Sequence, residues 1–341
     1  MQKDKQSYFL VLLLLKLGLL TACGQAMEIS GLNKKLSGED MAKQEAVNQA
    51  VFQDINEETS LSEAFQAQST QTEQIIKTEI AEEALNTTEA SCIIQEGMTL
   101  ASRIQPPEGY TRLSAEDGSL AEFLRSYPMK EDGSPVLLHN GKKKANQSVH
   151  AAVFALSVVE GDLQQCADSI MRMYAEYFWA SGQYERICFH FTNGFAAEYT
   201  KWREGFRIFV EGNQVSWVQS AAYDDSYEAF EKYLRIVFAY AGTLSMEAES
   251  TQIAKEDIQI GDIFLMGGSP GHVVMIVDQC EDTQGRRAFL LAQGYMPAQE
   301  FHVLKNPSDE NNPWYKEEEL EYPFQTPEYT FQEGSLRRLD Y

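Results

Sequence analysis

The sequence predicts an α+β fold, in which an antiparallel sheet packs against a helix carrying Cys166, on three observations. One strongly amphipathic helix follows Gly161-Asp162. Three β-rich segments crowd between residues 262 and 293, joined by turn-type loops. Helices and hairpins fall in separate runs instead of alternating, which argues against a parallel βαβ sheet.

Ile104-Gln105-Pro106-Pro107-Glu108-Gly109-Tyr110 marks the start of this domain through its prolines and glycine. A short helix is expected over 120–126, and a strand over 136–139 that ends at the turn Asn140-Gly141. The apolar run 150–159 reads as a second strand. Asp162 is a good N-cap with Gln165 three residues on, which would place Cys166 about one turn inside the helix. Leu163, Cys166, Ala167, Ile170, Met173, Tyr174 and Tyr177 form its apolar face. Asp168, Arg172 and Glu176 step along another face at spacing that allows ion pairs, and Gly182 stops the helix. Strands are expected over 187–191 and 206–210, a helix over 227–240, and strands over 262–266, 272–278 and 288–293.

The N-terminus has a different character. Lys3 and Lys5 precede a run from Tyr8 to Leu20 that is apolar apart from Lys16, and Leu20-Thr21-Ala22-Cys23 closes it. A basic start, an apolar stretch too short to span a bilayer, and small residues before the cut describe a signal peptide over 1–22. The ending resembles the lipobox of bacterial lipoproteins, which implies lipid (palmitate among its chains) on Cys23 and an extracytoplasmic, membrane-anchored location. Residues 24–100 hold fourteen acidic side chains against four lysines, a net −10, with no proline or tryptophan. With Cys23 they read as an acidic tether over 23–100, followed by one globular domain over 101–341.

The net charge of −23 excludes nucleic acid as a partner, because phosphate binding needs clustered Lys and Arg. Besides Cys23 there are Cys92, Cys166, Cys188 and Cys280, with no CxxC pair. One disulfide among them is open, and its pairing is undetermined. No HExxH, P-loop or GxGxxG occurs, so neither a metal nor a cofactor is expected.

Cys166, His272 and Gln293 form the candidate catalytic set. A thiol hydrolase needs a thiol, an imidazole to move its proton, and a polar group to orient that imidazole. His272 opens a strand on the face of Val274 and Ile276. If Asp278 pairs with Arg287 across the hairpin, Gln293 falls opposite His272. Gln165, or Gln164, is placed to assist the oxyanion. Cys166 also lies on an apolar helix face, where a packed core thiol is an equal expectation. His150 is a second candidate base. Trp202 with Arg203 and Arg207, and the exposed-looking pair Trp314-Tyr315, are candidates for a wall that binds a glycan or peptide, with partly buried core the favoured alternative.

The order of the helical cysteine, Gly261-Asp262-Ile263-Phe264 and Gly271-His272-Val273-Val274-Met275-Ile276-Val277-Asp278 resembles the papain-like cell-wall hydrolases of the NlpC and CHAP types. That resemblance implies a papain-like fold with Cys166 as nucleophile, His272 as base and Gln293 as the orienting residue. Asp162-Leu163-Gln164-Gln165-Cys166-Ala167-Asp168, Trp202-Arg203-Glu204-Gly205, Tyr240-Ala241-Gly242-Thr243, Leu291 to Gln299 and His302 to Pro307 resemble a bacterial family that carries only a domain-of-unknown-function label. It is often attached to lipoprotein leaders, and implies no activity. The expected function is a surface-tethered thiol amidase or peptidase acting on cell-envelope peptides. The alternative is a non-catalytic lipoprotein that binds a cell-wall glycan or peptide.

Overall fold

The computed structural model describes residues 91–341. Residues 1–90, on which the expected leader, Cys23 and most of the expected tether fall, lie outside the described residues.

The chain runs through α1 (Leu100–Arg103), β1 (Tyr110–Arg112), α2 (Leu120–Ser126), β2 (His150–Val153) and α3 (Cys166–Ala180). Next come β3 (Cys188–His190), β4 (Ala196–Glu198), α4 (Tyr199–Arg203), β5 (Phe206–Glu211), β6 (Gln214–Gln219), α5 (Tyr227–Tyr240) and α6 (Thr243–Ala248). The remainder is β: β7 (Ser250–Gln252), β8 (Ile263–Met266), β9 (His272–Asp282), β10 (Arg287–Gln293), β11 (His302–Leu304), β12 (Tyr315–Lys316), β13 (Phe324–Gln325), β14 (Thr330–Phe331) and β15 (Leu336–Leu339). The fold is therefore mixed α+β. The main sheet has the order β2-β11-β10-β9-β8-β15-β7, and β1 and β12 add to the far ends of β9 and β10. Neighbouring strands are antiparallel. Hairpins β3–β4, β5–β6 and β13–β14 stand apart from it.

The two faces of the sheet carry different loads. One bears Val273, Met275, Val277, Leu290 and Ala292 and packs against α3 through Ala167, Ile170 and Met171. The other bears Val274, Ile276, Phe289 and Leu291 and is covered by Tyr315, Phe324 and Phe331 from the C-terminal segments. Burial of both faces explains why β9 and β10 read as continuous apolar runs without alternation. Among the described residues no helix is long and apolar enough to cross a membrane.

Several expectations change. The helix begins at Cys166 itself rather than just after Asp162. The carboxyl group that caps it belongs to Asp168, whose Oδ2 accepts the Gln165 amide at 3.0 Å. Asp162 is drawn away, because its Oδ1 accepts the Ala298 amide at 2.7 Å. Residues 136–139 make only isolated bridges, Leu137 to Lys143 and Leu138 to Gln299, so no strand forms there. Residues 91–99, placed in the tether on composition, pack with the domain: Ile93 bridges Ile104, and the Cys92 carbonyl accepts the Gln105 amide. Trp314 and Tyr315 are buried rather than exposed.

Candidate active site

Cys166 occupies the first position of α3, where backbone amides have no carbonyl partner inside the helix. Its half-buried thiol is a free one, like those of Cys188 and Cys280. Burial, and then the carboxyl group of Asp168, push this thiol up to about 11. The amides of Ala167, Val273 and Cys166 itself pull in the other direction, because N–H donors favour a thiolate. Burial wins, so the thiol is protonated at neutral pH.

His272 is the first residue of β9 and is 2% exposed. Its Nε2 lies 2.8 Å from Gln293 Oε1. Among the described residues Nδ1 has no hydrogen-bond partner. Tyr295, Tyr329 and Phe331 surround the ring, with centroids 4.8, 4.9 and 6.0 Å away. This apolar wrapping lowers the imidazole to about 4, against the Gln293 hydrogen bond and with a further push from Lys144. The imidazole is therefore neutral at pH 7.

Gln293 reaches His272 by a route other than the expected one. The hairpin pairs Arg287 with Glu281, not with Asp278. An unbroken ladder from that pair would put Gln293 on the face of Met275, which is the helix side. The register shifts instead: Leu290 faces Asp278 but Leu291 faces Ile276, so Val277 is left over as a bulge. The single extra residue returns Gln293 to the face of Val274 and His272. The two become diagonal neighbours, a separation that a long amide side chain spans. Gly294 then lets the end of β10 lie against the start of α3. An added Cβ would stand 2.1 Å from Ser169 Oγ and 2.8 Å from the Gln165 carbonyl.

Cys166, His272, Gln165, Asp168, Tyr295 and Tyr329 line one cavity of about 450 Å³. Asp168 is 6% exposed, and its Oδ1 has no hydrogen-bond partner. Burial pushes this carboxyl up to about 8. The expected ion pair with Arg172 does not form. Arg172 turns to Glu176 at 2.6 Å and to the Tyr227 hydroxyl at 2.7 Å, so the α3 ion pair is buried against α5.

The other candidates lie elsewhere. His150 Nε2 sits 3.1 Å from the Ser134 carbonyl, and the residue lines a separate cavity of about 560 Å³. Trp202 is core: its indole N–H donates to the Ala229 carbonyl at 3.0 Å, and the Arg207 guanidinium covers its ring. Arg203 stacks on Tyr184 and donates to the Tyr223 hydroxyl. Neither belongs to the Cys166 cavity, because α4 packs them against α5 and the nearby loops. Gln164 is fully buried, with Oε1 accepting the Val159 amide at 3.2 Å. Among the described residues no group of three His, Cys, Asp or Glu side chains is arranged to hold a metal ion.

Residues that sequence reasoning missed stand behind the imidazole. Gln293 Nε2 donates to Glu328 Oε2 at 2.7 Å, and Glu328 is ion-paired with Lys144. Both come from irregular segments without periodicity, so no local signal marks them. Tyr295 and Tyr329 lie in loops, and sequence reasoning singled out neither.

No curated protein and no solved structure matches the chain. A family comparison does match, over residues 100–338, which takes in every strand and helix around this cavity. The chain therefore belongs to the family described as Domain of unknown function (4846).

Proposed function

We propose that the chain is a papain-like thiol amidase or peptidase, lipid-anchored through Cys23 at the cell envelope and acting on envelope peptides. One observation carries the catalytic part. Cys166 and His272 line the same cavity, and the imidazole is held through Nε2 by Gln293 while Nδ1 remains without a partner. The anchor rests on the Leu20-Thr21-Ala22-Cys23 ending, and the tether on the net −10 of residues 24–100.

In the reaction the Cys166 sulfur attacks an amide carbonyl and its proton passes to His272 Nδ1. The C–N bond then breaks, the departing amine takes that proton, and a thioester remains. Water attacks the thioester with His272 as base, releasing the acid and restoring the thiol. The amides of Cys166 and Ala167 supply donors at the helix N-terminus for the oxyanion. Burial favours the neutral form of each group separately. Moving the proton leaves the net charge unchanged and creates opposite charges side by side. At an effective dielectric near 20, unit charges 4 Å apart attract by about 4 kcal/mol. The pair is then neutral at rest and separates charge only in the reaction.

The test is hydrolysis of a panel of peptide amides by the full chain and by Cys166→Ala. Activity should fall to background in the variant with the fold intact, and a variant that still hydrolyses the same amides sinks the assignment.

A second reading, a cavity that binds a glycan or peptide without cleaving it, is favoured by the protonated thiol and the low basicity of His272. It predicts saturable binding that survives Cys166→Ala and no turnover by any variant. Tyr295 and Tyr329 would replace Trp202 as the aromatic contacts.

A further inference from the structure

The hydrogen-bond polarity at His272 is set several residues away. A glutamine amide has an acceptor end and a donor end, and the two are interchangeable in shape. What decides its orientation is the company each end keeps. Glu328, ion-paired with Lys144, offers only acceptors to the end of Gln293 that lies 2.7 Å from it. A reversed amide would set two oxygens against each other there. His302 adds a second constraint. Its Nδ1 is 2.9 Å from the Glu300 carbonyl, which can only accept, so Nδ1 carries the proton. Its Nε2 is then a lone pair, 3.5 Å from Gln293 Nε2. Burial keeps His302 neutral, with its imidazole lowered to about 3. Both neighbours therefore demand the NH₂ end of Gln293. Its oxygen must face His272, and an oxygen there requires that Nε2 of His272 bear the hydrogen.

We propose that Glu328, seconded by His302, is a positioning residue: it locks the Gln293 amide and so holds His272 in the Nε2–H tautomer, keeping the Nδ1 lone pair for the Cys166 proton. This rests on the reading of His272 as the base. Without the lock the amide can turn, donate to Nε2 and leave the proton on Nδ1. An imidazole in that state has no lone pair to offer the thiol, and the wrong tautomer costs about 10⁴ in kcat in a Ser-His-Asp triad.

The test reads the tautomer directly and needs no substrate. The full chain is labelled with ¹⁵N-histidine, and the two ring nitrogens of His272 are followed by NMR between pH 6 and 8. The wild type should show a proton-bearing Nε2 and a lone-pair Nδ1. Removing both charges, in Glu328→Ala with Lys144→Met, avoids leaving a buried lysine unpaired. That variant should shift His272 from one tautomer to a mixture. Glu328→Asp, with Lys144 kept, retains a carboxylate that can only accept from Gln293 and should hold the single tautomer. An Nδ1–H tautomer in the wild type overturns the proposal even if neither variant folds, and so does a tautomer unmoved by the alanine variant. A tautomer that behaves as expected in a protein without hydrolytic activity would leave the lock standing and remove His272 as base.

Discussion

The two ends of β9 treat buried titratable groups in opposite ways. Towards the hairpin with β10, the fully buried Asp278 has an arginine on each oxygen: Arg112 Nε is 2.7 Å from Oδ2, and Arg125 Nε is 2.7 Å from Oδ1. Its Oδ1 also accepts the Gln279 amide at 2.9 Å. At the other end, Asp168, Cys166 and His272 are gathered with no opposite charge on any of them, and burial drives all three to their neutral forms. A paired buried charge ties segments together, here β1 and α2 to β9. An unpaired titratable group costs stability and is retained where something other than stability is at stake. That contrast supports the proposed site at the His272 end.

The contrast is most severely tested at the paired end. Asp278→Ala leaves two guanidinium groups facing a position with no acceptor, and a broken buried pair costs about 3–5 kcal/mol. Urea unfolding should show a loss of that size. A loss below about 1 kcal/mol would mean that the arginines find water, and the contrast between the ends would fail.

Asp168 should act in the opposite sense, through pH. Its folded carboxyl is raised to about 8, so the native state holds a proton that the unfolded chain has released. Stability therefore falls as pH rises from the unfolded value of about 4 towards 8. His272, lowered to about 4, works the other way: the unfolded chain takes up a proton below about 6.5 that the native imidazole refuses. The two slopes oppose one another below pH 6.5, which leaves the window from 6.5 to 8 to Asp168. About 1.5 pH units there correspond to about 2 kcal/mol. Asp168→Asn keeps an acceptor for the Gln165 amide and should flatten that decline. A wild-type protein equally stable at both pH values would show that Asp168 is charged throughout.

The mildest test leaves stability alone. Iodoacetamide should modify Cys166 in the native protein at a rate that climbs steadily with pH towards 11, because only the thiolate reacts. Cys280, fully buried within β9, should label only after unfolding. Fast labelling of Cys166 at pH 7 would reveal a preformed thiolate. Its complete protection would make it a core thiol like Cys280.

Much of the scaffold was legible because its signals are local. The helices over 120–126 and 227–240 have the predicted limits, and each has a serine cap, Ser119 and Ser226. Strands β8, β9 and β10 appear where apolar runs met turn residues. The two- to four-residue strands β11 to β15 were missed, because so short a segment has no period to read. Within the candidate site, the cysteine on a helix and the histidine and glutamine on adjacent strands came from the sequence. The pairing that was to bring His272 and Gln293 together did not hold. The bulge at Val277 restored the face, though not the register.

By itself the sequence determined the main helices and the central strands β8 to β10, the apolar faces that must meet, and the residue types able to do thiol chemistry. These follow from periodicity and side-chain chemistry, which act over a few residues. Tertiary structure alone decided which polar groups find partners. Arg112 and Arg125 come from distant segments to neutralise Asp278, Arg172 turns to α5 and leaves Asp168 without a cation, and Glu328 approaches from the β13–β14 hairpin to orient Gln293. Desolvation sets the protonation of the cavity, and desolvation is a property of everything packed around a group rather than of its neighbours in the chain.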